Sequence, residues 1–471
     1  MQLLVVESDS QISDQLSERL GTDENWRLEA VQSNKSARTF LSRENVDCFI
    51  LNPQIPTEDG AKDQDLETGI KLFQYFINAA PLTPVILISE YALPAEYVDR
   101  LLAEAQLARH GSFLSKFRAV SMCAADDVDG IWSKINEFSS TLEELNEIEI
   151  SRGTSFIPLS RNVKRVFQQF SDRFGGSHCR IQKLAGGLSG SRVYSLRVED
   201  NNGAQRVLAV GKIDSLDAII NEIDKYECEV TRLPHDIYAP MVGRALVGSR
   251  TDAGVFYRLL DEDDRTLFDV IEADDHHATA VVSSLCQKLT TWTDGFQMQP
   301  MTVREVRQSM LEDDLVAKFV TDYELDWVNR YEDVRLNVPI STVHGDLHGA
   351  NILVSQANHP KLIDFGDVGS KPCMIDPLTL EFSLFTHPEF KDKTLWLPDL
   401  QNCEWSNLDA YIRDCPYQEF IRACRSWAFR RGGDQAVFAG AYGYLMRQLK
   451  YPDTDKQLIL SLLNSLKNTL N

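Results

Sequence analysis

The stretch that decides the fold runs from Thr342 to Asp367. It reads Thr-Val-His344-Gly-Asp346-Leu-His348-Gly-Ala-Asn351-Ile-Leu-Val354, then seven residues, then Leu362-Ile-Asp364-Phe-Gly-Asp367. Three of its polar residues have a use in phosphoryl transfer. Asp346 is placed to accept a proton from an attacking hydroxyl. Asn351 offers a neutral oxygen, and Asp364 an anionic one, to a magnesium ion bridging nucleotide phosphates. Magnesium prefers such hard oxygen ligands. Residues 352–354 and 361–363 are short apolar strands around the turn-rich 356–360. That hairpin would bring Asn351 and Asp364 side by side. A lone Asp-Phe-Gly would read as a turn beside a buried hairpin; the two motifs together, at this spacing, point to the chemistry.

The stretch resembles the aminoglycoside phosphotransferase and choline kinase group of the protein-kinase-like fold. In that group the loop reads His-Gly-Asp-x-x-x-x-Asn where protein kinases have His-Arg-Asp. The resemblance implies a two-lobed domain that uses ATP and Mg2+, with Asp346 as base and Asn351 and Asp364 on the metal. Upstream, a strand at 179–184 runs into Ala185-Gly-Gly-Leu-Ser-Gly-Ser191 and a second strand at 192–198. Such a turn resembles a phosphate-covering loop, with Gly186, Gly187, Ser189 and Gly190 letting backbone amides approach phosphate. A third strand at 206–213 carries Lys212, which matches the lysine that holds the α- and β-phosphates. Its partner would be Glu222 on a helix at 217–231, with Glu227 as the alternative. Strands at 245–249 and 254–260 precede a hinge at 261–264. Helices follow at 278–292, 302–320 and 323–331, and the tail from 417 is largely helical, with Arg425, Arg430 and Arg431 at an exposed basic turn. Asp376 resembles the group's structural aspartate, bonding the catalytic-loop backbone or capping the next helix. No Ala-Pro-Glu segment or activation loop is evident, which argues against an ordinary protein kinase.

Residues 1–150 read as five strand–helix units. Strands fall at 3–6, 26–31, 48–51, 84–88 and 112–114, and helices at 11–20, 34–41 (capped by Ser33), 66–79, 95–108 and 125–144. This alternation predicts a parallel sheet covered on both faces, with ligands at the carboxyl ends of the strands. Those ends resemble a response-regulator receiver. Glu7 matches one metal-binding acid, Ser89 the switch hydroxyl, Lys116 the phosphate-contacting lysine and Pro56 the proline beyond the acceptor. The acceptor itself is Asn52 and the second acid is Ser8. An amide cannot form an acyl phosphate, so residues 1–140 read as a pseudo-receiver kept for contacts with a protein partner. Residues 141–157 read as a helical linker, whose apolar positions Leu142, Leu145 and Ile148 leave room for a homodimer. Residues 158–471 read as the kinase-like domain, with lobes at about 158–262 and 263–471.

The 471 residues are 43% hydrophobic, ample for packed cores in more than one domain. No apolar run approaches the roughly 18 residues of a membrane helix. The opening residues lack the basic region and cleavage site of a signal peptide, so the reading is cytoplasmic. Nine scattered cysteines, none in a Cys-x-x-Cys pair, predict reduced thiols. The net charge of −22 disfavours nucleic acid and anionic membrane as partners. Residues 1–150 hold 26 acidic and 12 basic residues, so the excess is denser there. The fold class expected is α/β and α+β multidomain: a flavodoxin-like receiver followed by a two-lobed kinase-like domain. The function expected is ATP- and Mg2+-dependent transfer to a hydroxyl of an unknown small-molecule or protein acceptor, in bacterial signalling or defence. The alternative is a catalytically silent nucleotide-binding scaffold.

Overall fold

The computed structural model describes residues 1–8, 10–21, 26–80, 83–89, 96, 120–152, 159–184, 191–246, 251–259, 265–391 and 404–470. It divides into two compact units, Met1–Ile220 with Met241–Arg258, and Asn221–Pro240 with Leu259–Asn471. The helix expected at 95–108 (Glu96 apart), the strand expected at 112–114 and the hinge at 261–264 lie outside the described residues.

The first unit opens with a parallel sheet of β1 (Gln2–Val6), β2 (Arg27–Val31), β3 (Cys48–Leu51), β4 (Val85–Ser89) and β5 (Val120–Ala124), in the order β2-β1-β3-β4-β5. This is the doubly wound, flavodoxin-like order. The strands read as continuous apolar runs because both faces are covered. Leu4, Val6, Phe49 and Leu51 face the helices Asn34–Leu41 and Leu66–Ala79, where Ala37, Leu41, Phe73 and Phe76 are buried with them. Leu3, Val5, Cys48 and Ile50 face Gln11–Leu20 and Val128–Asn146 through Ile12, Leu16, Ile131 and Ile135. Ser33 caps its helix as expected, its hydroxyl accepting from the Ser36 N–H. One expectation is corrected: the fifth strand of the described sheet is Val120–Ala124, so Lys116 precedes that strand and does not follow it.

The same unit holds a second sheet of β6 (Glu149–Arg152), β7 (His178–Lys183), β8 (Arg192–Glu199), β9 (Gln205–Asp214), β10 (Met241–Ala245) and β11 (Ala253–Arg258), in the order β10-β11-β9-β8-β7-β6. The helix Arg161–Arg173 lies on it, with Phe167 edge-on to Tyr194 and Phe170 stacked on Phe256. The strand expected at 245–249 forms four residues earlier, as β10. The helical linker expected at 141–157 is also corrected. The helix ends at Asn146, and Glu149–Arg152 turns into a strand paired in parallel with β7. Ile148 continues the helical apolar spacing, but pairing with β7 gives backbone groups of the next residues hydrogen-bond partners that a frayed helix end would leave open. Buried Asp47, just before β3, ties the first sheet to this region. It accepts from the Gln2 N–H at 2.7 Å and pairs with Arg165 and, at 3.4 Å, Arg161.

The second unit carries two small sheets, built from β12 (Arg265–Thr266), β13 (Gln297–Thr302), β14 (Arg335–Val343), β15 (Ile352–Val354), β16 (Pro360–Leu362) and β17 (Gly369–Pro372). Their orders are β12-β15-β16 and β13-β14-β17. Helices supply the rest. Ile375–Thr386 is buried along its whole length and packs against Gln418–Gly432 and Asp434–Gln448, and Lys456–Leu466 packs against the latter. The helix expected at 302–320 is two, Val303–Gln308 and Asp313–Asp322. In the last turn of the first, Arg307 turns inward to a two-pronged pair with Glu332, at 2.8 and 3.0 Å. Arg425, expected at an exposed turn, is buried. It lies 3.6 Å over the Trp405 ring and binds Glu381 through two nitrogens. None of the eight described cysteines forms a disulfide. Among the described residues no helix is long and apolar enough to cross a membrane.

Candidate active site

The site grows from the end of β14. The chain leaves that strand at Val343, turns through 344–348, makes a single 3-10 turn at Gly349–Asn351 and enters β15. Asp376, in the first turn of its helix, holds the start of this turn. Its two carboxylate oxygens accept from the backbone N–H groups of His344 and Gly345, each at 2.8 Å. Burial pushes this carboxyl up, and the two N–H groups pull it back. Of the two roles expected for Asp376, bonding the loop backbone is the one observed. Gly345 stands at φ +83°, and a Cβ there would lie 2.5 Å from the Asp367 carbonyl oxygen.

His344 joins the two motifs. Its Nε2 lies 3.0 Å from the carbonyl oxygen of Ile363, which can only accept, so Nε2 carries the proton. Asp364 follows with φ +62°, a left-handed backbone uncommon outside glycine and tolerated by aspartate. Phe365 anchors the turn, fully buried against Tyr226 and His344, and the Lys225 ammonium donates to the Gly366 carbonyl. The hairpin is present: β15 and β16 pair antiparallel around Asn358, which has φ +65°. The Ile363 N–H bonds the Asn351 carbonyl at 3.1 Å, so the backbones on either side of the two expected metal ligands are joined.

Asn351 fits a cation. Its NH2 donates to the Asp346 carbonyl at 2.9 Å and to His348 Nε2 at 3.2 Å, and no described residue donates to its Oδ1. Among the described residues no three His, Cys, Asp or Glu side chains are gathered to hold a metal alone. A magnesium that shares its shell with phosphates and water needs no such cage.

Asp346 keeps a third of its side chain exposed within dense surroundings. Burial pushes its carboxyl up, and the Arg447 guanidinium, 4.0 Å away, opposes that. His348 stands 3.6 Å from the same carboxylate. The ring is packed against His387 and Phe268, and burial brings it down to about 4, so it is neutral and the contact is no ion pair. Arg447 went unseen in the sequence, since it carries no motif and lies far down the chain on the helix Asp434–Gln448.

The remaining expected residues are placed as follows. Lys212 sits on β9, paired between Val193 and Val255. Glu222 is 1% exposed, whereas Glu227 is exposed. Gly186, Gly187, Ser189 and Gly190 lie outside the described residues, although β7 and β8 form the expected antiparallel hairpin around them. In the first sheet, Glu7, Ser8, Asn52 and Ser89 gather at the carboxyl ends of the adjacent strands β1, β3 and β4. Glu7 is buried, and its Oε1 accepts the Ser13 N–H at 2.7 Å, holding the following helix. The Asn52 side-chain oxygen accepts the Gln54 N–H at 3.0 Å. Lys116 lies outside the described residues.

Residues 246–389 match the model of the phosphotransferase enzyme family. No curated protein matches the chain. Among solved structures, an amicoumacin kinase in complex with AMP-PNP, Ca2+ and amicoumacin is 14% identical, with 72% of this chain and 95% of that one covered at a TM-score of 0.33. A glucosamine kinase with glucosamine, ADP and phosphate is 13% identical, over 62% and 94%, with a TM-score of 0.33. A CheY-like receiver domain from Methanospirillum hungatei is 16% identical, over 30% and 97%, with a TM-score of 0.23. The stretch matched by the phosphotransferase enzyme family holds Asp346, Asn351 and Asp364.

Proposed function

We propose that this chain transfers the γ-phosphoryl group of ATP to a hydroxyl of a small molecule. A non-phosphorylatable receiver-like domain, residues 1–140, would tether or regulate the kinase-like domain, residues 158–471, through a protein partner. The observation that carries the reading is the pair of hydrogen bonds that the His344 and Gly345 N–H groups donate to the two carboxylate oxygens of Asp376. It fixes the turn that presents Asp346, and such rigidity is what in-line transfer demands of a base.

In this reading the acceptor oxygen bonds to the γ-phosphorus as the bond from that phosphorus to the bridging oxygen of ADP breaks. The hydroxyl proton passes to the Asp346 carboxylate, and ADP leaves. Lys212 and the loop residues Gly186, Gly187, Ser189 and Gly190 hold phosphates. Glu222 is the proposed partner of Lys212, with Glu227 as the alternative. Asn351 and Asp364 would hold Mg2+, which neutralises charge on the phosphates.

Asp346→Asn keeps the shape of the side chain and removes its basicity. The variant should bind Mg-ATP as the wild type does and lose turnover by about 10²–10⁴-fold, the usual contribution of a general base. Calorimetry and ATP-consumption assays read the two quantities. If activity in the host survives Asp346→Asn but not Lys212→Ala, nucleotide occupancy is the function and the chain is a scaffold.

A further inference from the structure

Two arginines are buried among the described residues of the second unit, and every guanidinium nitrogen of each is engaged. Arg307 bonds Glu332, the Leu311 carbonyl and Asp313 through Nε, Nη1 and Nη2. Arg425 bonds Glu381 and the Trp405 carbonyl in the same way. Arg447 differs. Its side chain is 25% exposed, and Nε donates to the Tyr451 hydroxyl at 3.2 Å. The terminal nitrogens have no hydrogen-bond acceptor among the described residues. The Asp346 carboxylate is 4.0 Å from Nη2, an ion-pair distance too long for a hydrogen bond. A held guanidinium therefore presents its outer N–H groups beside the one residue whose use is toward the acceptor hydroxyl. That fork matches the paired oxygens of carboxylate or phosphate.

We propose that Arg447 positions the acceptor by binding an anionic group, carboxylate or phosphate, carried near the hydroxyl that Asp346 deprotonates. This rests on the phosphotransfer reading above and narrows its acceptor to a hydroxy acid or a phosphorylated alcohol. The whole-chain charge of −22 would favour a cation. Exposed charges beyond about 8–10 Å are largely screened at physiological salt, so a guanidinium at the acceptor decides instead.

The test uses the full chain with four alcohols that differ in one group: glycerol, glyceric acid, glycerol 3-phosphate and 2-amino-1,3-propanediol. Phosphorylated product is read by mass spectrometry, and Mg-ATP affinity by calorimetry. The wild type should favour an anionic member over glycerol by about tenfold or more in kcat/KM, the scale of a charge-assisted hydrogen bond. Arg447→Gln should erase that ratio, Arg447→Lys should keep part of it, and Mg-ATP affinity should hold in both. If no member reacts, the same ratios are read as binding to protein loaded with Mg-AMP-PNP. A preference for glycerol or the amine, absence of any anion selectivity, an anionic preference that survives Arg447→Gln, or an equal fall for all four overturns the proposal. A wild type that does not bind Mg-ATP sinks the phosphotransfer reading, and this one with it.

Discussion

Gly345 shows how one residue decides which version of a catalytic turn a chain can build. Its backbone is left-handed, and a Cβ would meet the Asp367 carbonyl oxygen at 2.5 Å and the Lys371 ammonium at 2.7 Å. The lysine could move; the backbone carbonyl belongs to the turn that carries Asp364 and could not without disturbing it. An arginine at this position, as in His-Arg-Asp loops, is thus excluded by local space. Gly345→Ala should cost roughly 1–3 kcal/mol from left-handed strain and overpacking combined, and should lower turnover by displacing Asp346. Urea denaturation that gives an unchanged midpoint would show that the turn relaxes freely and that the glycine is not required.

At the scale of elements, the join between the first sheet and the helix Arg161–Arg173 hangs on Asp47. The aspartate is nearly buried, as is Arg165, while Arg161 is half exposed. Removing one partner of a buried pair leaves the other charge without compensation. Asp47→Ala should therefore destabilise the protein by about 3 kcal/mol, at the low end for a buried pair because Arg161 stays wet and adds little. A chemical denaturation curve that does not move would mean the pair is cosmetic. This join was not legible in the sequence, since Asp47 and Arg165 belong to no common pattern. Elements with local signals were legible to the residue: Ser33 before Asn34–Leu41, the apolar run Cys48–Leu51, the stripe of Leu66–Ala79. The failures have tertiary causes. Long β14 carries Asn337 and Pro339, residues that argue against a strand, yet it pairs with β13 along 335–340 and with β17 along 340–343. β6 continues a helical spacing and is claimed by β7. In the site, Asp346, Asn351 and Asp364 announced themselves by spacing, whereas Arg447 reaches it only through helix packing.

For the whole molecule, a receiver-like sheet in the same chain as a phosphotransferase domain raises the question of whether it is a phosphate-operated switch. The side chains at the strand ends answer through their hydrogen bonds. Asn52, at the carboxyl end of β3 and expected at the acceptor position, has its side-chain oxygen engaged by the Gln54 N–H. Glu7, the one remaining acid of the expected pair, has an oxygen committed to the Ser13 N–H. Asp47, the nearest acid before β3, lies at the opposite end of that strand and is engaged by Arg165 and Arg161. Asp59 is exposed and accepts from the Ser36 hydroxyl, on the loop after β3. Acyl phosphate formation needs a carboxylate nucleophile with a divalent cation beside it to neutralise the incoming phosphoryl group, and among the described residues of this sheet none combines the two. Incubation of the full chain with acetyl phosphate and Mg2+ should leave residues 1–140 unmodified by peptide mass spectrometry, while Asn52→Asp alone should also remain unmodified because Ser8 cannot restore the second acid. An adduct on wild-type residues 1–140 would mean that another carboxylate has taken over the acceptor role. An adduct that appears with Asn52→Asp would show that the pocket still binds its cation and lacks only the nucleophile.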